Sequence, residues 1–369
     1  AEWLRSLVSF LVLPFTAYWR NVEMMDQSGN NHFRQYALAV LDTLPQDSLL
    51  FANYDQQWTS IRYLQECEGH RKDVTSINLS MMTYSWWDVK RDLYDEIHFP
   101  GTHYTRASTT SCLQHPSKEL VDANIERFGG NIFIGGPLNY ADPEFADTYE
   151  EVPHGFIRRV ERRKGSKMPI DAEEYRTTSL EAWRIVTNRV HSLPDETKYD
   201  ESTWEYTIRR EFFTHLVSRA TYLLDLALTS EGRHGTTPAL ASIAEAVFWL
   251  ELACNWDGET YSRQTKKNMG LAYLNIVRSK DETFPVVENI FNGIEGATAV
   301  DNWVTDSEMW ERNSWKEWAT TRWREEWQTF LSLGQSKSEP GYEQIKNIYN
   351  TVMESSGERA KMRGERKVQ

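Results

Sequence analysis

Asp55, Arg71 and Asp73 are the charged residues whose placement could do chemistry. Asp55 comes just after the apolar run Ser48–Ala52, at the carboxyl end of an expected strand. Open α/β sheets take ligands at that end, and Arg71 and Asp73 could line the same crevice. The structural reading, which is the favoured one, is that Asp55 caps a helix starting near Gln56 and that Arg71 and Asp73 form a turn ion pair. His98, His103, Cys112 and His115 make a second group within one short stretch. Imidazole and thiolate suit zinc, but this spacing matches no standard finger, so loop histidines and no metal are expected. The chain has no Asp-X-Asp pair, no G-x-G-x-x-G and no Walker-type loop. Its Gly-rich stretch GGNIFIGG (129–136) opens no helix and reads as a strand between turns. Neither a catalytic residue nor a cofactor is expected within this chain.

Other features bear on binding. The chain of 369 residues carries 41 Lys+Arg against 54 Asp+Glu, a net charge of −13. A nucleic-acid binder usually shows a basic patch. The one comparable run, Arg158, Arg159, Arg162, Arg163 and Lys164, is interrupted by Glu161 and has no aromatic platform. No nucleic-acid partner is expected. Three cysteines, Cys67, Cys112 and Cys254, are too few for a disulfide framework and read as small buried thiols. The tryptophans at 303, 310, 315, 318, 323 and 327 invite a sugar-stacking reading. Yet Trp323, Trp327 and Phe330 are four and three apart, the spacing of a core face. Asn78-Leu79-Ser80 is the sole N-glycosylation sequon. It lies on an expected strand, so Asn78 is not expected to be modified.

The elements that must position these residues follow from the periodicity. Trp3 to Trp19 is apolar and aromatic, with Leu7–Phe15 too short for a bilayer, which needs about 20 residues. It reads as the end of a transmembrane helix (1–19), with Trp3, Tyr18 and Trp19 as an interfacial belt; an ordinary core helix and a signal peptide are the alternatives. Since the first residue is Ala, the chain is expected to begin inside a longer protein. After a loop at Asp26–Asn31 comes a helix over Phe33–Leu44. Strand Ser48–Ala52, helix Gln56–Glu66, strand Val74–Leu79 and helix Thr83–Asp95 then alternate, the pattern of parallel βαβ units. Residues 101–118 read as a loop, and Asn131–Ile134 and Gly155–Val160 as strands. From Asp171 the period is helical, with helices over Ala172–His191, Ser202–Ser230, Thr237–Asn255, Thr260–Ser279, Ser307–Leu333 and Gly341–Glu354. The expected fold is therefore an α/β part with a short parallel βαβ sheet (20–165) followed by a helical domain (171–356) and a charged tail (357–369). The Thr237–Ser279 pair looks like an αα-hairpin, one unit of a repeat array, although no fixed period is found.

Residues 48–101 carry a resemblance. Arg62-Tyr63-Leu64, Glu68-Gly69, Arg71, Asp73-Val74, Met81-Met82-Thr83-Tyr84, Trp86 and Phe99-Pro100-Gly101, with Asp55 just after the first strand, resemble the soluble region after the last membrane span in the transmembrane protein 260 family. Two positions depart from the family pattern: Tyr54 stands where a Gly precedes the acidic residue, and Lys72 where a Pro separates Arg from Asp.

The resemblance implies a parent enzyme of the endoplasmic-reticulum membrane (or, in bacteria, one with a periplasmic soluble part). It would move mannose from a dolichol-phosphate donor to Ser or Thr of a folded acceptor. The base would sit in the first lumenal loop, upstream of residue 1, because a general base must reach the hydroxyl it activates. This chain would then be the lumenal accessory region, partnered by its own upstream transmembrane part and by a protein acceptor domain. The candidate contact residues are Asp55, Arg62, Tyr63, Glu68, Arg71, Asp73, Tyr84 and Trp86. A non-catalytic helical scaffold of a membrane complex is the alternative, and a soluble enzyme using the Asp55 crevice is a third.

Overall fold

The computed structural model describes residues 10, 12, 14–22, 26–104, 114–115, 117–136, 143–163, 165, 169–229, 237–257, 263–280, 282–291, 294 and 314–353. Helix α1 (His32–Asp42) leads into strand β1 (Leu49–Ala52), helix α2 (Asp55–Cys67) and strand β2 (Thr75–Asn78). Helix α3 (Trp87–Lys90), strands β3 (His103–Tyr104) and β4 (Gln114–His115), helix α4 (Ser117–Asn124) and strand β5 (Ile132–Gly135) come next. Helix α5 (Pro143–Thr148) and the hairpin β6 (Tyr149–His154) and β7 (Ile157–Arg162) end the α/β part. The helices α6 (Ala172–Arg189), α7 (Trp204–Thr229), α8 (Thr237–Asp257), α9 (Arg263–Arg278) and α10 (Ser314–Ser332) follow, then a helix over 342–353.

The main sheet has the order β2-β1-β5-β7-β6. β1 runs parallel to both β2 and β5, while β7 is antiparallel to β5 and to β6. The parallel βαβ core is as its sequence pattern predicts. Side chains alternate across a strand, and both faces of β1 are buried. Leu50 and Phe133 enter one core; Leu49, Phe51, Ile132 and Ile134 enter the other. α2 covers the first face through Ile61 and Leu64, and α4 covers the second through Leu120 and Val121. The crossovers β1–α2–β2 and β2–α4–β5 thus lie on opposite faces. The first core continues through Trp183, Phe212 and Trp249 to Trp315, Trp323 and Trp327. One hydrophobic core therefore joins the sheet to the helices.

Several expectations are corrected. The helix expected over Thr83–Asp95 is broken into a 3₁₀ turn at Met81–Thr83, α3, and a second 3₁₀ turn at Arg91–Leu93. The loop expected over 101–118 contributes two short parallel strands, β3 and β4, and the start of α4. β6 was not expected: its burial pattern is not a clean alternation, and Pro153 disfavours a strand except at a sheet edge, where β6 lies. The expected transmembrane end falls largely outside the described residues, as do Trp303, Trp310 and the charged tail. Residues 14–22 are helical and leave Phe15, Tyr18 and Trp19 exposed. Among the described residues no helix is long and apolar enough to cross a membrane.

Candidate functional site

Because the crossovers from β1 and into β5 pass on opposite faces, the topological switch point lies between these two strands. Tyr54 follows β1 there and Gly136 follows β5. Tyr54 is the extended N-cap residue of α2, with φ −132 and ψ 158. Its hydroxyl donates to Glu211 Oε2 on α7 at 2.8 Å. Burial first, then the neighbouring Tyr36 and Glu211, raise the Tyr54 pKa, so the phenol stays protonated. Gly136 has φ +82, and a Cβ there would collide with the Tyr54 ring. A Cβ on Gly135 would collide with the Gln57 amide, which donates to the Tyr36 hydroxyl at 3.2 Å. The switch-point crevice is thus filled by the protein's own Tyr54 and Gln57.

Asp55 is exposed beside this plug, in the first turn of α2. It is not the N-cap; that position belongs to Tyr54, and a carboxylate one step on still favours the positive end of the helix dipole. Arg71 and Asp73 precede β2, whereas Asp55 follows β1. Since the two strands are parallel, these residues lie at opposite ends of the sheet. A crevice lined by all three does not form. Instead the Arg71 guanidinium donates to Leu41 O and Leu44 O at 2.7 and 2.8 Å, to Pro45 O at 2.9 Å, and to both carboxylate oxygens of Asp73. Arg71 therefore adds a charged donor to carbonyls at and just beyond the C-terminus of α1, among them Leu41 O, which also accepts from Leu44 N at 3.2 Å. The Arg71 hydrogen bonds hold the Asp73 carboxyl below the usual carboxylate range.

Glu68 pairs with Arg34 of α1 at 2.8 Å on the surface. Arg62 pairs with Glu66 one turn along α2 and lies over the Trp58 ring at 5.4 Å. Tyr63 is exposed on the same helix. Asn78 is 1% exposed, and its Oδ1 accepts from Met81 N at 3.0 Å. That burial leaves no access for a glycan on the folded protein.

Tyr84 and Trp86 belong to a different kind of surface. Their rings stack at 5.9 Å with an interplanar angle of 9°. Tyr84 is 56% exposed, Trp86 47%, Val89 77% and Leu93 75%. Buried Trp87 underlies the patch, with ring contacts to Trp86 at 6.3 Å, Tyr94 at 5.7 Å and Phe99 at 5.9 Å. Burial raises the Tyr94 pKa; Arg62 lowers it to a smaller extent and Glu66 adds to the rise. An exposed aromatic pair over a buried aromatic base, with further exposed apolar side chains in the same segment, is suited to binding another surface. It holds no nucleophile–base pair. Val89 and Leu93 were missed from sequence because Trp86, Val89 and Leu93 have the 3–4 spacing that normally marks a buried helical face.

Residues 33–111 match the family model for TMEM260-associated domain 2. Over that segment the chain is similar to the TMEM260-associated domain. Over 279 residues it is 25% identical to a Dictyostelium discoideum protein named protein O-mannosyl-transferase tmem260, covering 75% of this chain and 31% of that protein. Over 224 residues it is 27% identical to the Mus musculus protein O-mannosyl-transferase TMEM260, covering 58% of this chain and 30% of that protein. The chain thus spans about a third of the length of these relatives. No solved structure matches.

All eight candidate contact residues, Asp55 through Trp86, fall within the segment 33–111 that this family model matches. The structure splits them. Arg71 and Asp73 brace α1, Arg34–Glu68 ties α1 to the end of α2, and Tyr84 and Trp86 face solvent over Trp87. No group of His, Cys, Asp or Glu that could hold a metal occurs among the described residues; Cys112 lies outside them. Cys254 is buried as expected, but Cys67 is exposed, because it ends α2 beyond the helix's last core contact at Leu64. Trp315, Trp323 and Trp327 are fully buried core residues.

Proposed function

We propose that this chain is the accessory, acceptor-recognising region of a protein O-mannosyltransferase, its soluble part lumenal in the endoplasmic reticulum, with dolichol-phosphate mannose as the donor. The observation that carries the acceptor role is the exposed stack of Tyr84 on Trp86, flanked by Val89 and Leu93, inside the segment that the family model matches. Interface energy concentrates in such aromatic anchors. The names of the relatives support the transferase reading. The acceptor would be a folded Ser/Thr-bearing β domain. The other partner is the parent's own membrane region, and the exposed Phe15, Tyr18 and Trp19 suit residues that sit at a membrane interface.

The test uses the longer parent protein in membranes. Replacing Tyr84 and Trp86 together with Ala should leave its folding intact and lower mannose transfer to a folded acceptor domain by about tenfold or more. Transfer to an unfolded Ser/Thr peptide should change little. Deleting the whole region should abolish transfer to the folded acceptor. Unchanged transfer after either alteration would remove the acceptor role.

A further inference from the structure

The helix over 14–22 lies outside the core: residues 14–20 are all exposed, and only Asn21 and Val22 are half-buried. Phe15, Tyr18 and Trp19 stand on it in the open. Along the chain an apolar run (Leu7–Phe15) gives way to aromatic residues (Tyr18, Trp19) and then to polar ones (Arg20, Asn21). Trp and Tyr settle where hydrocarbon meets headgroup, so that order suits a lipid interface. A further exposed tryptophan lies at the base of this helix. Ala17, Tyr18, Asn21 and Val22 share a recess with Asp26. Asp26 also lines a cleft formed with the loop 192–199, and Asn30 donates to Glu205 Oε1 at 2.6 Å. Next to Glu205, Trp204 opens α7 with 64% of its surface exposed. Through the segment 26–32, the helix and Trp204 are therefore held at one end of the molecule. A lone exposed tryptophan needs no explanation, but this one shares its end with three exposed aromatic residues.

The charges around Trp204 indicate which lipid surface fits. From Asp195 to Glu205 the chain carries Asp195, Glu196, Asp200, Glu201 and Glu205 against a single ammonium, Lys198. The first four of these carboxylates are exposed. Glu196 pairs with Arg209 at 3.2 Å. Asp195 and Asp200 accept hydrogen bonds from Thr197 and Ser202, which hold both carboxyls below the usual range, so they stay ionised. An anionic bilayer would repel this loop. A phosphatidylcholine surface presents quaternary ammonium groups outermost. Such groups attract carboxylates and lie over aromatic faces, Trp best of all.

We propose that the loop 195–205 is a second membrane contact, with Trp204 entering the headgroup layer of a phosphatidylcholine bilayer beside the helix over 14–22. This rests on the membrane-interface reading of Phe15, Tyr18 and Trp19 and adds which end of the soluble part faces the lipid; acceptor recognition has no part in it. The test is flotation of the full chain over a range of concentrations of phosphatidylcholine vesicles. The parent chain should bind, and Trp204→Ala should lower its partition coefficient by about fivefold or more. The replaced side chain is exposed, so the variant should keep the parent's melting temperature. Vesicles should slow hydrogen exchange over 199–206 in the parent and leave it unchanged in Trp204→Ala. The loss caused by Trp204→Ala should shrink when phosphatidylserine replaces part of the phosphatidylcholine. If Trp19→Ala weakens binding and Trp204→Ala does not, the helix alone meets the membrane: this inference is overturned and the membrane-interface reading stands. A parent chain that does not float with the vesicles overturns both. A Trp204→Ala loss as large on the serine-containing vesicles, or exchange over 199–206 that vesicles do not slow in the parent, overturns the loop contact.

Discussion

Arg71 donates to three main-chain carbonyls and to Asp73 from a left-handed backbone position, φ +49. A charged group making several hydrogen bonds contributes more than a surface ion pair. Arg71→Ala should therefore lower stability by about 1–3 kcal/mol, read as a shift in the urea midpoint with an unchanged slope. Arg71→Lys should recover only part of that, because one ammonium cannot reproduce a planar fork aimed at carbonyls and a carboxylate. This bracing role was only partly legible in the sequence. The Arg71–Asp73 pair is local and was readable as a turn. Leu41, Leu44 and Pro45 lie 26 to 30 positions earlier, and nothing in the spacing links them to Arg71. Asp55 was placed correctly at the carboxyl end of β1, because a short apolar run followed by a helical period fixes that position. The plug formed by Tyr54 and Gln57 was not readable, since it depends on the close approach of β5.

At the level of elements, long segments with a clear period were read within a few residues. The βαβ order, α2, and the long helices all stand where apolar spacing places them. The segment 81–99 was misread because period alone cannot tell a face turned to the core from one turned to solvent. Asn78 Oδ1 binding Met81 N starts a 3₁₀ turn, and Trp87 then anchors the segment, leaving Trp86, Val89 and Leu93 outside. The packing of α9 on α10 shows the reverse case, in which one small residue fixes an interface. Gly270 lies mid-helix in α9, and a Cβ there would collide with the indole of Trp327, which donates to Lys267 O at 3.2 Å. Trp327 is fully buried and has no room to retreat. Gly270→Ala would gain helix propensity of about 1 kcal/mol, but overpacking costs about 1–3 kcal/mol. The expected net result is a lower melting temperature, with loss of the near-ultraviolet signal of the tryptophans before helix content falls. A variant as stable as the parent would show that the two helices can separate freely.

Across the whole molecule, the sheet and helices are joined by a shared core and by polar contacts that titrate. His154, at the end of β6, gives its Nε2–H to Thr43 O at 2.9 Å and packs on Phe133. Burial, with Arg159 adding a smaller effect, lowers its pKa below the ordinary 6.5 despite the Thr43 bond. The unfolded chain therefore takes up this proton first as pH falls. The stability that His154 contributes is present in full above about 6.5 and is lost as the pH drops through its folded value. Glu211 acts lower on the scale. Burial would raise its pKa, but hydrogen bonds from His215 and Tyr54 outweigh that and leave it below the ordinary 4.5. Its contribution is present above about 4.5 and is lost only as the folded carboxyl protonates. Urea unfolding should therefore show two separate losses. Between about pH 7.5 and 5.5, the parent chain should lose stability faster than His154→Gln, which keeps a donor for Thr43 but cannot take the charge. His32, also lowered by burial, should leave a residual slope in that variant. Glu211→Gln should be less stable than the parent at neutral pH, and the gap should narrow in acid as Glu211 protonates. Parallel pH profiles for the parent and both variants would mean that these buried groups do not couple proton uptake to the joining of sheet and helices.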